Sequence, residues 1–115
     1  MNKETKQAVE DAIELKWKPI VNEGAVDLGT KNCPLCQIFH KEECTRTVKG
    51  KKEKCPVYVK SGKPFCDGTP YEEWRKTITK APFVIVSPET RKMAEAELKY
   101  LEELLWKSFL IDFWW

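Results

Sequence analysis

At 115 residues the chain has the length of one domain with one hydrophobic core, and a second independent domain is not expected. Apolar residues make up 42% and charged residues 33%, with thirteen aromatics, a composition that excludes a disordered tail. The formal net charge of +2 gives no global field for nucleic acid, but it is unevenly spread: residues 41–63 carry eight Lys or Arg against three Glu, whereas the segment from Pro88 onward is net −2.

The N-terminus, "MNKETKQAVEDAIELKWK", has no basic start followed by an apolar run, so no secretory signal is expected. Val9, Ala12, Ile13, Lys16, Trp17 and Ile20 recur at spacings of three and four and predict an amphipathic helix over about 3–21. Pro19 should end or kink it, because proline lacks the N–H and clashes with the preceding turn. "NEGAVDLGTKN" then reads as a loop.

From Cys33 to Cys66 no amphipathic period survives beyond a turn or two. "CPLC" and "CPVY" each place proline directly after cysteine, which predicts short helical turns opening at Pro34 and Pro56. Between them "TRTVKGKKEK" reads as a lysine-rich hairpin or loop around Gly50, with Arg46 to Val48 as a short strand. Thr69, Pro70 and Glu72 fit an N-cap, a first helical position and a capping-box carboxylate for a helix over about 70–79. "KAPFVIV" is a brief apolar run that suits extended backbone. Ser87 and Pro88 then open a helix over about 88–113, whose stripe is Met93, Ala94, Leu98, Leu101, Leu104, Leu105 and Phe109. The most apolar stretch, "LLWKSFLIDFWW", is twelve residues long and contains Lys107 and Asp112, short of the about 20 apolar residues that span a bilayer.

The spacing Cys33-x2-Cys36-x7-Cys44-x10-Cys55-x10-Cys66 is the strongest chemical signal. Two thiolates on one tight turn reach a single ion, and local N–H groups stabilise their charge. Cys33 and Cys36 are the first pair; Cys55 and Cys66, each opening a new structural piece, are the natural second pair, with Cys44 and His40 as alternates. Zinc is the expected cofactor, with an iron–sulfur cluster as the alternative on the same four sulfurs. A thioredoxin-type redox pair would need an alternating α/β pattern, which the sequence lacks. Five cysteines cannot all pair within one chain, and a cytoplasmic setting would keep them reduced.

The elements "CPLC", "CPVYVKSGKPFC" and "GTPYEEW", with Trp17 closing the first helix and "LGTKNC" before the first pair, resemble a group of small, largely uncharacterised cysteine-rich proteins of phage and prokaryotic genomes. The resemblance covers roughly residues 13–75, and Cys66 to Tyr71 (C-x-G-T-P-Y) is its most specific part. Such proteins often carry a second Cys-x-x-Cys ahead of the "CP" element. Lys52 stands at that position here, and Cys44 is its displaced counterpart beyond an inserted basic loop. The resemblance implies a metal-stabilised small fold and a viral or mobile-element setting, hence the host cytoplasm.

Three further groups bear on function. Lys49, Lys51, Lys52 and Lys54 suit phosphate contact, with Tyr58 and Phe65 near enough in sequence to stack on bases, although such a run is also an ordinary solvated loop. Phe109, Phe113, Trp114 and Trp115 suit a protein partner or self-association, or the interior of the fold. No phosphate-binding glycine loop, nucleophile elbow or histidine beyond His40 points to an enzyme. The expectation is a single mostly α domain over 1–115: an N-terminal helix, an irregular cysteine-rich metal-binding middle at 33–66, and a long C-terminal helix packing back on the first. Its expected role is a non-enzymatic metal-binding interaction or regulatory module, possible phage accessory functions included. The alternatives are an iron–sulfur redox or electron-transfer protein and a nucleic-acid binder through loop 49–54.

Overall fold

The computed structural model describes residues 2–24, 27, 32–39, 43–80 and 88–114, with the side chains of 77–80, 88–89 and 108–114 left out. The architecture is mostly helical, as the periodicity predicts. The first helix is built of three segments: α1 (Lys3–Asp11), a π-helical segment (Ala12–Trp17) and α2 (Lys18–Glu23). Asn2 caps it, its side-chain oxygen accepting the Thr5 N–H at 2.8 Å.

Of the two outcomes expected at Pro19, an end or a kink, the first does not occur, and the helix runs on through it. A proline in a regular helix collides with the carbonyl four residues back and leaves it unbonded. The π segment widens the turn there, so that the Lys18 N–H reaches five residues back to the Ile13 carbonyl. The helix continues to Glu23 and stops at Gly24, whose φ of 66° is the left-handed cap conformation glycine adopts freely.

Two short helices begin at prolines: α3 (Pro34–Phe39) and α4 (Pro56–Ser61). Between them lies an antiparallel hairpin of β1 (Thr45–Val48) and β2 (Lys51–Lys54), in which Thr45 pairs with Lys54 and Val48 with Lys51. Its two-residue turn, Lys49 and Gly50, has positive φ at both positions (52° and 76°), matching the right-handed twist of the strands. The helix α5 (Pro70–Lys80) starts behind Thr69, whose hydroxyl accepts the Tyr71 N–H at 3.3 Å; Glu72 reaches back to the Gly68 N–H at 3.4 Å. The long α6 (Pro88–Trp114) closes the chain. "KAPFVIV" beyond Lys80, and the Ser87 cap, lie outside the described residues.

The core forms where α6 crosses the first helix and α5. Val9, Ala12, Ile13, Trp17 and Ile20 bury the predicted stripe against Ala94 and Leu101, with Leu35, Phe39, Val57 and Trp74 filling the space between. Met93, Leu98, Leu104 and Leu105 are half-buried against that core, so the α6 stripe is largely confirmed over its described part. Two charged residues share these faces. Lys16 is 3% exposed on the first helix and Glu97 2% on α6.

Candidate metal centre

All five cysteines line one cavity of about 170 Å³. They arrive from separate pieces of chain, each held by local hydrogen bonding. Cys33 precedes α3 and its carbonyl accepts the Gln37 N–H at 3.0 Å; Cys36 follows one turn later. Cys55 holds the equivalent place before α4, accepting the Val59 N–H at 3.0 Å. The Cys-Pro pairing thus does the same job twice: the proline fixes the first turn and the cysteine side chain stays at its mouth. Cys44 leads into the hairpin and is tied to Cys55, whose N–H donates to the Cys44 carbonyl at 2.8 Å. Cys66 precedes α5, and the Thr69 hydroxyl donates to its carbonyl.

Backbone strain concentrates at two of these thiols. Glu43 and Cys44 (φ 54° and 65°) and Phe65 and Cys66 (φ 62° and 61°) are consecutive non-glycine residues in the left-handed region. Each such residue costs about 1–2 kcal/mol and persists only where its surroundings fix it. The two strained pairs face each other, for the Phe65 N–H donates to Cys44 Sγ at 3.1 Å.

The electrostatics of the cavity are mixed. Cys33 is lowered to about 6, first by the Cys36 thiol donating to it, then by Lys16 and by the N–H groups of Cys36 and Leu35. Cys36 rises strongly for the complementary reason, since it keeps the proton that Cys33 lacks. Burial pushes Cys55 up to about 11, against N–H groups of Val57 and Tyr58 that favour its thiolate. Cys66 is raised by burial and next by the Glu97 carboxylate beside it. Glu97 itself is raised to about 8 by burial, and its Oε2 has no hydrogen-bond partner.

Lys16 also lines the cavity, and its Nζ meets Asp27 Oδ1 at 3.0 Å, both side chains almost fully buried (3% and 2%). Trp74 Nε1–H donates to Asp27 Oδ2 at 2.9 Å. Trp17 packs edge-on to Tyr71 and Trp74, both at 5.8 Å, and the Lys16 ammonium sits 5.3 Å from the Trp17 ring and 5.6 Å from that of Tyr71. A buried cation is thereby fixed beside the Cys33 thiol, whose thiolate it favours.

The structure brings Cys33, Cys36, Cys55 and Cys66 to one cavity and adds Cys44 to them. As placed, no three His, Cys, Asp or Glu side chains among the described residues are gathered closely enough to hold one ion. His40 and Trp115 lie outside the described residues, as do the side chains of Phe109, Phe113 and Trp114. Lys49, Lys51, Lys52 and Lys54 are exposed on the hairpin, and none of them lines the cavity. Lys16, Asp27 and Glu97 were not singled out from the sequence as site residues. A signal existed for two of them: Lys16 sits within the apolar stripe of the first helix, and Glu97 lies three residues after Ala94 and four before Leu101.

Fold and site together define a small, mostly helical protein organised around a five-thiol cavity. Comparison with protein-family models, curated proteins and solved structures found no match to this chain. Among the described residues no helix is long and apolar enough to cross a membrane.

Proposed function

We propose that the chain is a non-enzymatic, metal-stabilised interaction module whose thiol-lined cavity holds a metal centre. The observation that carries this reading is the convergence of all five cysteines on one cavity, although they are spread over 34 residues of sequence. Buried free cysteines serving only as small hydrophobes have no need to share a wall, or to be met by N–H groups at their sulfurs. Zinc on Cys33, Cys36, Cys55 and Cys66, with Cys44 or His40 in reserve, and an iron–sulfur cluster are both occupants this donor set accepts. Either would replace thiol protons, and the Lys16 ammonium would offset part of the resulting negative charge.

Binding to a macromolecular partner through the C-terminal aromatic segment belongs to the same proposal, as does a phage accessory setting, which rests on the sequence resemblance alone. Elemental analysis of protein purified without oxygen tests the metal centre. Stoichiometric metal, with a fall in melting temperature on chelation, is the expected result; metal-free protein of unchanged stability would refute it. A second reading, nucleic-acid contact, draws on the exposed hairpin lysines 49, 51, 52 and 54. It predicts retention on a phosphate-bearing column that falls steeply with salt.

A further inference from the structure

We propose that Cys33 and Cys36 form a redox-active dithiol, which closes to an intramolecular disulfide by exchange with a small-molecule disulfide. The proposal goes beyond the metal-centre reading and does not rest on it, because it needs two sulfurs and no ion. Three observations carry it. The first is that the two sulfurs already meet: the Cys36 thiol donates a hydrogen bond to the Cys33 sulfur. Local structure fixes the chain between them. Pro34 sets the backbone after Cys33, and the Gln37 N–H donates to the Cys33 carbonyl at 3.0 Å, which closes the turn that carries Cys36. Residues three apart in a helical turn share a face, with Cα atoms about 5 Å apart. That separation lies inside the window of about 4.4–6.8 Å that a disulfide spans.

The second observation is reach. Cys33 and Cys36 are both partly exposed, whereas Cys44 and Cys55 are buried, so an incoming disulfide meets the pair before either of those. Cys66 is partly exposed as well and serves as the control. The third is number. No three His, Cys, Asp or Glu side chains among the described residues are gathered closely enough to hold one ion, yet these two sulfurs are in contact. Two-sulfur chemistry is what that spacing provides as it stands. In the exchange, one thiol of the pair gives up its proton and attacks the small disulfide, forming a mixed disulfide and releasing one small thiol. The other loses its proton and attacks the protein sulfur of that intermediate, forming the Cys33–Cys36 bond and releasing the second small thiol. The pair is oxidised by two electrons, the small disulfide is reduced by two, and the two protons end on the two released thiols. Metal ligation and the disulfide are then mutually exclusive states of one turn.

The test uses the full chain, reduced, freed of metal with a chelator and desalted without oxygen, with its helicity checked by circular dichroism. It is treated with oxidised glutathione, alkylated in denaturant, cut with trypsin and weighed by mass spectrometry. Cys33 and Cys36 fall together on the peptide 32–41, and each other cysteine falls on a peptide of its own. The expected result is a peptide 32–41 that is unalkylated and lighter by two hydrogens, with Cys44, Cys55 and Cys66 still alkylated and no glutathione adduct retained. Cys33→Ser should instead accumulate one glutathione on Cys36, since no second sulfur displaces it, and Cys66→Ser should close the disulfide as the parent chain does. Free thiols at both positions of the parent chain, a lasting adduct at either, or a bond from either to another cysteine would overturn the proposal. The metal-centre reading stands or falls separately, on metal content.

Discussion

Replacing Asp27 with Asn would remove one charge from a buried pair while keeping the shape of the side chain. The pair is Lys16 Nζ to Asp27 Oδ1 at 3.0 Å, with side-chain exposures of 3% and 2%. Asn can still accept the Trp74 N–H, now at 2.9 Å from Asp27, so the loss is dominated by taking the Asp27 carboxylate away from the buried Lys16 charge. Breaking a buried pair from one side costs about 3–5 kcal/mol. At about 4 °C per kcal/mol for a domain of this size, the melting temperature should fall by roughly 12–20 °C. Equilibrium urea unfolding followed by tryptophan fluorescence measures the change directly, because Trp17 and Trp74 flank the pair. The double variant Lys16→Met with Asp27→Leu should recover most of the loss, since apolar replacement of a buried pair is often neutral. A loss below about 1 kcal/mol in Asp27→Asn would refute the reasoning, and would mean that the Lys16 stem carries its ammonium to water instead.

Three other outcomes are expected. On the proposed metal-centre reading, Cys36→Ser should unfold the segment from 33 to 66, seen as a lowered melting temperature and a lower metal content; a variant with native stability and metal content would contradict that reading. Glu97 is raised to about 8 from an unfolded value near 4.5, so the unfolded chain releases its proton first and stability falls as pH rises between those values. In the metal-free protein the native chain should therefore lose about 1 kcal/mol per pH unit relative to Glu97→Gln from pH 5 to 8. Working with that difference cancels the part of the Cys33 contribution that is independent of the Glu97 charge; the lowered Cys33 value adds stability as pH rises from about 6. Thr69→Ala removes the acceptor for the Tyr71 N–H and the donor to the Cys66 carbonyl, and should cost about 1 kcal/mol in denaturant unfolding.

The helices were legible because their signals are local. Pro34, Pro56, Pro70 and Pro88 each open one, and over their described part the stripes of the first and last helices bury or half-bury the residues their spacing predicts. The cysteines were legible as a group, but not the fact that Cys44 shares the cavity, since that depends on the hairpin folding Cys44 back onto Cys55. Asp27 was illegible for a similar reason: it lies in a loop, and its partners Lys16 and Trp74 are 11 and 47 residues away. The continuation of the helix past Pro19 was not legible, because the helix-breaking rule assumes a regular turn, and the π segment removes that assumption. Glu97 was readable as a charge on an apolar face, yet its role depends on thiols that only the tertiary fold sets beside it.

The π-helical segment Ala12–Trp17 also sets the phase of the first helix. A π turn holds one more residue than an α turn, and it often behaves as a single-residue insertion inside an otherwise regular helix. Lys16 and Trp17 lie inside this wider turn, and both line the thiol cavity. Excising one residue from 12–17 would let the helix close into regular turns, but everything on one side would rotate by about 100° against the other. Either Ala8 and Val9 would leave the core or Lys16 and Trp17 would leave the cavity. The first helix is therefore the chain's gauge: both halves are registered to the hydrophobic interior, the wider turn between them also faces the site, and one supernumerary residue reconciles these placements.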